Sequence, residues 1–360
     1  MMNRHYQTVW FAIILLSCNS CLTHKAPIQY TQKSTISHIE GVKSDTVAYG
    51  DTLFLVKDSD NTPLYFYQDI QTGVCFDDRC RRLHIVVLWN ITGRYQGFKL
   101  PEGEFLSKTD HVPFSKVEYE RLHALLANPE LPFSSISYDE LMEDSDPNNP
   151  EIDGISGATS KAVSEIVVQG AAYTTYKLWS IVYGPTRDEI VRLTEQQLTP
   201  AIYEKLLNSP VQTDKVWALE RMEEIPDLTT RLGELVATSL TSQDFSLAYS
   251  AITAIKSNHL VNEQLQIQLF TRYDKALPSI RSLMVKKLMD APRLSDEVIK
   301  ISCKFLDQVN GKELGDLLKL YTAHKVKNDK VLTRITKLLN HENAFISNQV
   351  QRYLKESEAW

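Results

Sequence analysis

The chain has 360 residues and a net charge of −6, with 43% hydrophobic and 23% charged residues. This composition is ordinary for a globular protein, and the slight acidic excess argues against a nucleic-acid partner. The length exceeds that of one typical hydrophobic core, so the sequence predicts two domains.

The N-terminus is predicted to be a lipoprotein signal peptide, residues 1–17. A short polar and basic leader precedes the apolar run Val9–Leu16, which is too short for a bilayer core that needs about 20 residues. Leu15–Cys18, the string L-L-S-C, resembles a bacterial lipobox, in which the cysteine becomes the lipidated first residue. Cys21 is a second candidate for lipidation, and an ordinary secretory signal is the alternative. Either interpretation places the mature chain outside the cytoplasm.

Residues 18–50 are expected to form the anchor and a tether, because they are polar and rich in hydroxyl groups. Strands are predicted next, separated by Asx, Gly and Pro turns. The predicted strands are Thr52–Val56, Leu64–Tyr67, Gly73–Phe76 and Leu83–Trp89.

Two cysteines, Cys75 and Cys80, flank an Asp-Asp-Arg turn between strand-like runs. In an oxidising compartment this arrangement favours a disulfide across a hairpin. A redox-active pair is the alternative, although the four-residue spacer lacks C-x-x-C geometry. A metal site is not expected here, because no second close pair of Cys or His accompanies these thiols.

A helix is predicted to begin after Ser115, because Ser115 and Glu118 have the spacing of a capping box. The acidic, proline-punctuated segment 143–151 then leads into Asp153–Thr159, which reads D-G-I-S-G-A-T. A helical pattern continues through Val168. A glycine-containing turn at a helix start offers unpaired N–H groups and the positive end of the helix dipole to a phosphate.

This heptamer resembles the flavinylation motif of the FMN-binding domain family. Members of that family occur in Na+-translocating NADH:quinone oxidoreductases, in Rnf-type complexes and among exported flavoproteins. A flavin transferase takes FMN from FAD and joins its phosphate to the last hydroxyl of D-x-x-S/T-G-A-T/S. The resemblance implies a phosphoester of FMN on Thr159, with Asp153, Ser156, Gly157 and Ala158 matching the surrounding pattern. The alternative is an ordinary N-cap turn.

Outside the heptamer, Gly93–Phe98 is a loose counterpart of the glycine-rich aromatic hairpin of that family. A flavin ring needs apolar and aromatic walls, and core packing is the alternative role for each candidate. The candidates are Trp89, Tyr95, Phe98, Tyr173, Tyr176 and Trp179. His111 is a candidate hydrogen-bond donor to a flavin carbonyl, with a loop hydrogen bond as the alternative.

From Thr186 onward the apolar spacing predicts helices throughout. Helix pairs recur, and the expected second-helix starts Leu228, Leu260, Leu294 and Val331 lie 32, 34 and 37 residues apart. Such recurrence is typical of an α-solenoid and looks like degenerate HEAT repeats. An irregular helical bundle is the alternative.

The predicted fold class is an α+β FMN-binding-like domain over residues 51–184, followed by an all-α, HEAT-like helical-repeat domain over residues 185–360. The expected protein is a lipid-anchored flavoprotein of the cell envelope that transfers electrons outside the cytoplasm. Its expected partners are a flavin transferase, membrane-bound redox proteins and, through the anchor, the membrane. A lipoprotein scaffold without flavin, and an extracytoplasmic reductase, are the alternatives.

Overall fold

The computed structural model describes residues 38–74, 81–108, 111–137, 139–141, 161–222, 225 and 227–358. In these residues a five-stranded antiparallel sheet is followed by a region built of helices. The coarse prediction of an α+β region followed by an all-helical region is confirmed. One continuous hydrophobic core runs through both regions.

The sheet has the simple order β1-β2-β3-β4-β5, and each strand is antiparallel to the next. The strands are β1 (His38–Lys43), β2 (Thr52–Lys57), β3 (Pro63–Thr72), β4 (Leu83–Asn90) and β5 (Tyr95–Lys99). The predictions for β2, β3 and β4 are confirmed. The predicted strand at Gly73–Phe76 is wrong for Gly73 and Val74, which follow β3 in its connection to β4; the rest of it lies outside the described residues.

Strand β1 lies within the stretch that the sequence analysis assigned to a tether. Nearly all of its residues are exposed, so its sequence lacks the alternation of buried and exposed residues that predicts a strand. It forms because its backbone pairs with β2 from His38↔Lys57 to Lys43↔Thr52. The folded part of the chain therefore begins before residue 51.

The hairpin between β4 and β5 turns through Gly93, whose φ is +75°. A Cβ at this position would lie 3.0 Å from the Arg187 side chain and 3.1 Å from that of Val191. The turn therefore requires glycine for its backbone conformation and for the close approach of the helix that carries Arg187 and Val191.

Three helices follow the sheet: α1 (Lys116–Leu126), α2 (Lys161–Ser164) and α3 (Ala172–Val182). The capping box of α1 is confirmed, because Ser115 Oγ accepts from the Glu118 N–H and the Glu118 carboxylate accepts from the Ser115 N–H. Helix α3 contacts α1 and reaches the sheet, where the fully buried Trp89 donates through Nε1 to the Val182 carbonyl at 2.9 Å.

The remaining described chain is helical, as predicted. Its helices are α4 (Pro185–Glu195), α5 (Pro200–Leu207), α6 (Gln212–Glu220), α7 (Thr230–Ser239), α8 (Phe245–Ala254), α9 (Glu263–Phe270), α10 (Pro278–Met289), α11 (Asp296–Cys303), α12 (Gly311–Ala323), α13 (Asp329–Lys337) and α14 (Ala344–Ser357). The even-numbered helices from α6 to α14 pack on one another in order, and so do the odd-numbered helices from α5 to α13. The result is a stack of two layers.

The stack is more regular than the sequence indicated. The even helices start at Gln212, Phe245, Pro278, Gly311 and Ala344, and the odd helices from α7 start at Thr230, Glu263, Asp296 and Asp329, so both series have a spacing of 33 residues. The predicted spacing of 32, 34 and 37 residues is uneven because Leu228, Leu260 and Leu294 are not the first residues of α7, α9 and α11. These three residues are buried in the connections before the α-helices, Leu260 within a short 3-10 helix (Ser257–Val261), and their burial explains their apolar character.

Equivalent positions in the stack share burial and capping. The third residue of each odd helix from α7 onward is buried, and the residue before each helix has a capping type of side chain. The buried residues are Leu232, Leu265, Val298 and Val331, and the N-cap residues are Thr229, Asn262, Ser295 and Asn328. Thus each pair buries its apolar stripe against the next pair.

Asp214 of α6 joins the helices to the sheet and is only 3% exposed. Its Oδ1 accepts from Asn90 Nδ2 and from Arg94 Nε, both at 2.9 Å. Its Oδ2 accepts from a terminal nitrogen of Arg94 at 2.9 Å and from Ser209 Oγ at 2.8 Å. Burial acts to raise the pKa of Asp214, but the hydrogen bonds and charge of Arg94, helped by Ser209 and Asn90, hold this pKa below its ordinary value.

A second joint lies at Glu189 of α4, which is 3% exposed. Its carboxylate accepts two hydrogen bonds from Arg192, at 2.7 and 2.6 Å. Hydrogen bonds from Arg192 outweigh burial and, together with those from Ser44 and Thr46 in the β1–β2 connection, lower the pKa of Glu189 to about 2. Helix α4 is thereby tied to the first hairpin of the sheet.

Asp214→Asn is expected to lower the free energy of unfolding by about 3 kcal/mol, because it leaves a buried network with an uncompensated Arg94 charge. Urea unfolding followed by circular dichroism measures this loss. Asp290→Asn, the same chemical change at an exposed residue, is the control and is expected to change stability by less than about 0.5 kcal/mol. Equal effects of the two substitutions would contradict the proposed joint.

Glu189→Gln is expected to remove a pH-dependent part of the stability. The folded-state pKa of about 2 lies below the ordinary value of 4.5, so ionised Glu189 stabilises the fold above about pH 4.5 and this contribution is lost as the pH falls toward about 2. Unfolding free energies measured across this range should therefore converge for wild type and variant. A stability difference that stays constant with pH would show that Glu189 is not held ionised by its partners.

Candidate functional site

All residues predicted to carry the cofactor lie outside the described residues. Asp153, Ser156, Gly157, Ala158 and Thr159 belong to the segment 142–160. The predicted lipidation site Cys18 and the predicted disulfide partners Cys75 and Cys80 also lie outside the described residues. The structure describes the chain on both sides of segments 75–80 and 142–160 and the residues that contact it there.

The helix after the motif is shorter than predicted. Helix α2 ends at Ser164, and a turn follows before α3 begins at Ala172. The predicted single helix through Val168 is therefore wrong, and the three aromatic residues Tyr173, Tyr176 and Trp179 lie on a separate helix. Gly170, six residues after the end of α2 and two before the start of α3, has a φ of +72°, so a right-handed helix does not continue from one helix into the other.

Arg121 of α1 anchors this turn. Its Nε donates to the Val167 carbonyl at 2.9 Å, and a terminal nitrogen donates to the Glu165 carbonyl at 2.5 Å. The Val168 N–H donates to Thr175 Oγ1 at 3.1 Å, so the turn is also tied to α3. The guanidinium satisfies carbonyl groups that the early end of α2 leaves without helical partners.

Lys108 lies on the other side of the same turn. Its side-chain carbons lie 3.6 to 3.9 Å from the position that a Cβ would occupy on Gly170. Its Nζ donates to the Glu118 carboxylate at 2.7 Å. Burial acts to raise the pKa of Glu118, but hydrogen bonds from Lys108 and Ser115 keep this pKa below its ordinary value. Arg121 thus contacts the turn after the motif through its charged group, and Lys108 contacts it through its side-chain carbons.

The aromatic residues on the sheet are core residues. Trp89, Tyr95 and Phe98 are each at most 4% exposed, so their rings are not accessible as walls for a flavin. The hydroxyl of Tyr95 lies 3.1 Å from Nδ1 of His123. Burial raises the pKa of Tyr95 and lowers that of His123, which favours a neutral pair in which Tyr95 donates.

The aromatic residues of α3 hold the chain that leads into the motif. The Tyr176 hydroxyl donates to the Ile136 carbonyl at 3.1 Å, and Trp179 Nε1 donates to the Asn128 carbonyl at 3.2 Å. The buried ring of Phe133 meets the edges of both rings, with centroids 5.7 and 5.5 Å away. Tyr173 and Tyr176 are half-buried, and of the six candidates they have the most accessible ring surface.

Sequence reasoning missed Arg121 and His123. Their partners are distant in sequence, and the partners of Arg121 are backbone carbonyls, which leave no residue-type signal. His111, the candidate donor in the loop before α1, is exposed and has a left-handed backbone with a φ of +58°. Among the described residues, no hydrogen bond or ring contact joins His111 to another predicted site residue.

No protein-family model matches the chain, and no curated protein matches it. Within the described residues, no helix combines the length and the apolar character needed to cross a membrane. The same part of the chain contains no group of three or more His, Cys, Asp or Glu side chains arranged to hold a metal ion.

Arg121→Ala is expected to loosen the turn after the motif without unfolding the protein. Amides of residues 163–171 should exchange hydrogen roughly tenfold faster, because local opening no longer breaks the two guanidinium bonds. Hydrogen exchange read by mass spectrometry measures this effect. Lys116→Ala on the same helix, which removes an exposed cation 3.7 Å from Glu120, is the control. Unchanged exchange in Arg121→Ala would show that the clamp does not hold the turn.

Proposed function

We propose that this protein is an exported, lipid-anchored flavoprotein that carries covalent FMN on Thr159 and transfers electrons outside the cytoplasm. The observation that carries the proposal is the sequence D-G-I-S-G-A-T at residues 153–159. The leader and the L-S-C string at its end support export and lipidation of Cys18. A covalent bond is the stable way to retain a flavin in a compartment from which a free cofactor diffuses away.

The described chain around the motif is compatible with this role. Leu141, just before the segment that contains the motif, is fully buried, and Val163, just after it, is 2% exposed. Both ends of the segment are therefore anchored in the core. A segment held at both ends, with an acidic, proline-punctuated sequence between, suits access by a modifying enzyme.

The residues that are described fit an anionic, aromatic cofactor at this end of the molecule. Arg121 contacts the turn that follows the motif through neutral carbonyl groups, so its charge favours a nearby phosphate, whereas the charge of Lys108 is balanced by Glu118. Tyr173 and Tyr176 on α3 are only partly buried. When bound, FMN would supply reversible electron transfer, while the protein would supply its position and its polar surroundings.

We also propose a finer description of the two regions. The sheet with α1 to α3 is an FMN-binding-like α+β domain, and the two-layered stack is a HEAT-like solenoid, supported by its 33-residue spacing. In the first region, Cys75 and Cys80 lie in the connection of an antiparallel hairpin whose last paired residues are Thr72 and Leu83. That position supports a structural disulfide between them.

The proposal predicts that protein coexpressed with a flavin transferase gains the mass of one FMN less one water and shows flavin fluorescence in a denaturing gel. Thr159→Ala should lose both signals, because the esterified oxygen is absent. Thr159→Ser is the matched control and should retain them, because it keeps the hydroxyl. Intact-mass spectrometry of the three proteins gives the result.

Absence of added mass in wild type would favour the alternative, a lipoprotein scaffold whose helical stack binds a protein partner. Added mass that persists in Thr159→Ala would place the flavin on another residue and contradict the assignment. Flavinylated protein that reduces small acceptors without partners would favour a reductase over an electron carrier.

A further inference from the structure

The helical stack changes the sign of its charge along its length. Residues 185–263 contain 7 Lys and Arg against 12 Asp and Glu, whereas residues 272–337 contain 15 against 8. The basic part therefore runs against the net charge of −6 of the whole chain. Such a reversal within one continuous stack creates a local positive field that attracts anionic partners.

The basic residues converge on α13. Lys330, Arg334 and Lys337 follow the spacing i, i+4 and i+7, which places them on one side of this helix. Together with Asp307 and Asp329 they line a groove of about 430 Å³. At the three equivalent positions α7 has Arg231, Leu235 and Thr238, α9 has Gln264, Gln268 and Thr271, and α11 has Glu297, Ile301 and Lys304. Each of these helices has at most one cation there, so the run of three belongs to α13.

A second groove, of about 410 Å³, lies where the connection before α11 meets the connection before α13. Its cations are Arg293, Lys325 and Lys327. Asp329 lines the first groove and its neighbour in the chain, Asn328, lines the second, so the two grooves adjoin. We call the pair the α13 groove.

The backbone fixes Lys325 at this site. Lys325 adopts a left-handed conformation with a φ of +48°. The next N–H, that of Val326, donates to the Tyr321 carbonyl at 3.0 Å, as in the motif that ends many helices. The lysine is thus held at the rim of the groove by the end of α12.

Three lysines of the α13 groove present their charges to a partner. Lys325, Lys330 and Lys337 are exposed, and none of the ion pairs found in the described part of the chain engages them. Arg334 pairs with Asp307 at 3.0 Å. Arg293 and Asp296 lie 3.5 Å apart with both side chains about three-quarters exposed or more, an arrangement of small energetic value.

We propose that the α13 groove is a docking site for an acidic polypeptide segment of a partner protein. The two parts of the α13 groove are deep enough to take side chains, and a segment rich in Glu and Asp supplies negatively charged ones. The exposed carboxylate of Asp329 at the groove wall can accept from the backbone amides of a polypeptide, whereas the uniform negative surface of a lipid bilayer offers it no donor. The proposal concerns the helical stack and stands independently of the flavin.

Full-length protein titrated into a fluorescently labelled polyglutamate peptide tests this site by fluorescence anisotropy. Saturable binding that weakens with added salt is expected. The triple variant Lys325→Glu, Lys330→Glu and Lys337→Glu should weaken binding roughly tenfold or more, because three attractions become repulsions. The control carries Lys286→Glu, Lys312→Glu and Lys319→Glu, an equal charge change at exposed residues of the other layer, and should bind within about threefold of wild type.

Binding that is absent in wild type, or lost equally in both triple variants, would overturn the proposal. Stronger association with vesicles of phosphatidylglycerol than with the peptide would assign the surface to lipid and overturn it as well. A triple Lys→Gln variant at residues 325, 330 and 337, checked by circular dichroism, separates loss of charge from misfolding. Thr159→Ala should bind the peptide as wild type does, so failure of the flavin proposal and failure of this one are distinguishable.

Discussion

The buried carboxylate of Asp214 joins the helical stack to the sheet. Asp214 is the third residue of α6. The equivalent residues of the later even-numbered helices are also buried: they are apolar in α8, α10 and α14 (Leu247, Ile280 and Ile346), and in α12 the equivalent is Glu313, which pairs with Arg281 of α10 at 3.2 Å. Those residues pack on the preceding helix of their layer, whereas α6 meets the β4–β5 turn. An Asp there would be costly without partners, and Asn90 and Arg94 provide them. The sheet therefore contacts α6 at the place where each later even-numbered helix contacts the helix before it in the same layer.

This joint makes a continuous unit of two regions that look separate in the sequence. The boundary near residue 185 is real as a change of secondary structure, but the core does not stop there. Glu189 and Thr186 on α4 bind the first hairpin, and Trp89 bonds to the end of α3.

Local signals in the sequence predicted local structure. Strands β2, β3 and β4 contain β-branched and aromatic runs bounded by turn residues, and Ser115 with Glu118 predicted the start of α1. The predictions were wrong where the deciding partner is distant. Strand β1 has no hydrophobic pattern and exists through pairing with β2. The helix after the motif ends at Ser164, before a turn in which Arg121 binds the carbonyls of Glu165 and Val167. For the candidate site, the motif is visible in the sequence, whereas the contact of Arg121 on α1 with the turn after the motif is visible only in the structure.

The sequence by itself determined strands β2 to β4, the helical character of the chain after Thr186, the cap of α1 and the string at residues 153–159, because these depend on residues close together in the chain. Tertiary structure decided the 33-residue regularity of the stack, the core position of Trp89, Tyr95 and Phe98, and the pairing of Asp214 with Arg94. Each of these depends on contacts between residues far apart in sequence. No spacing of residue types records such contacts, since burial and charge pairing arise only when the chain is folded.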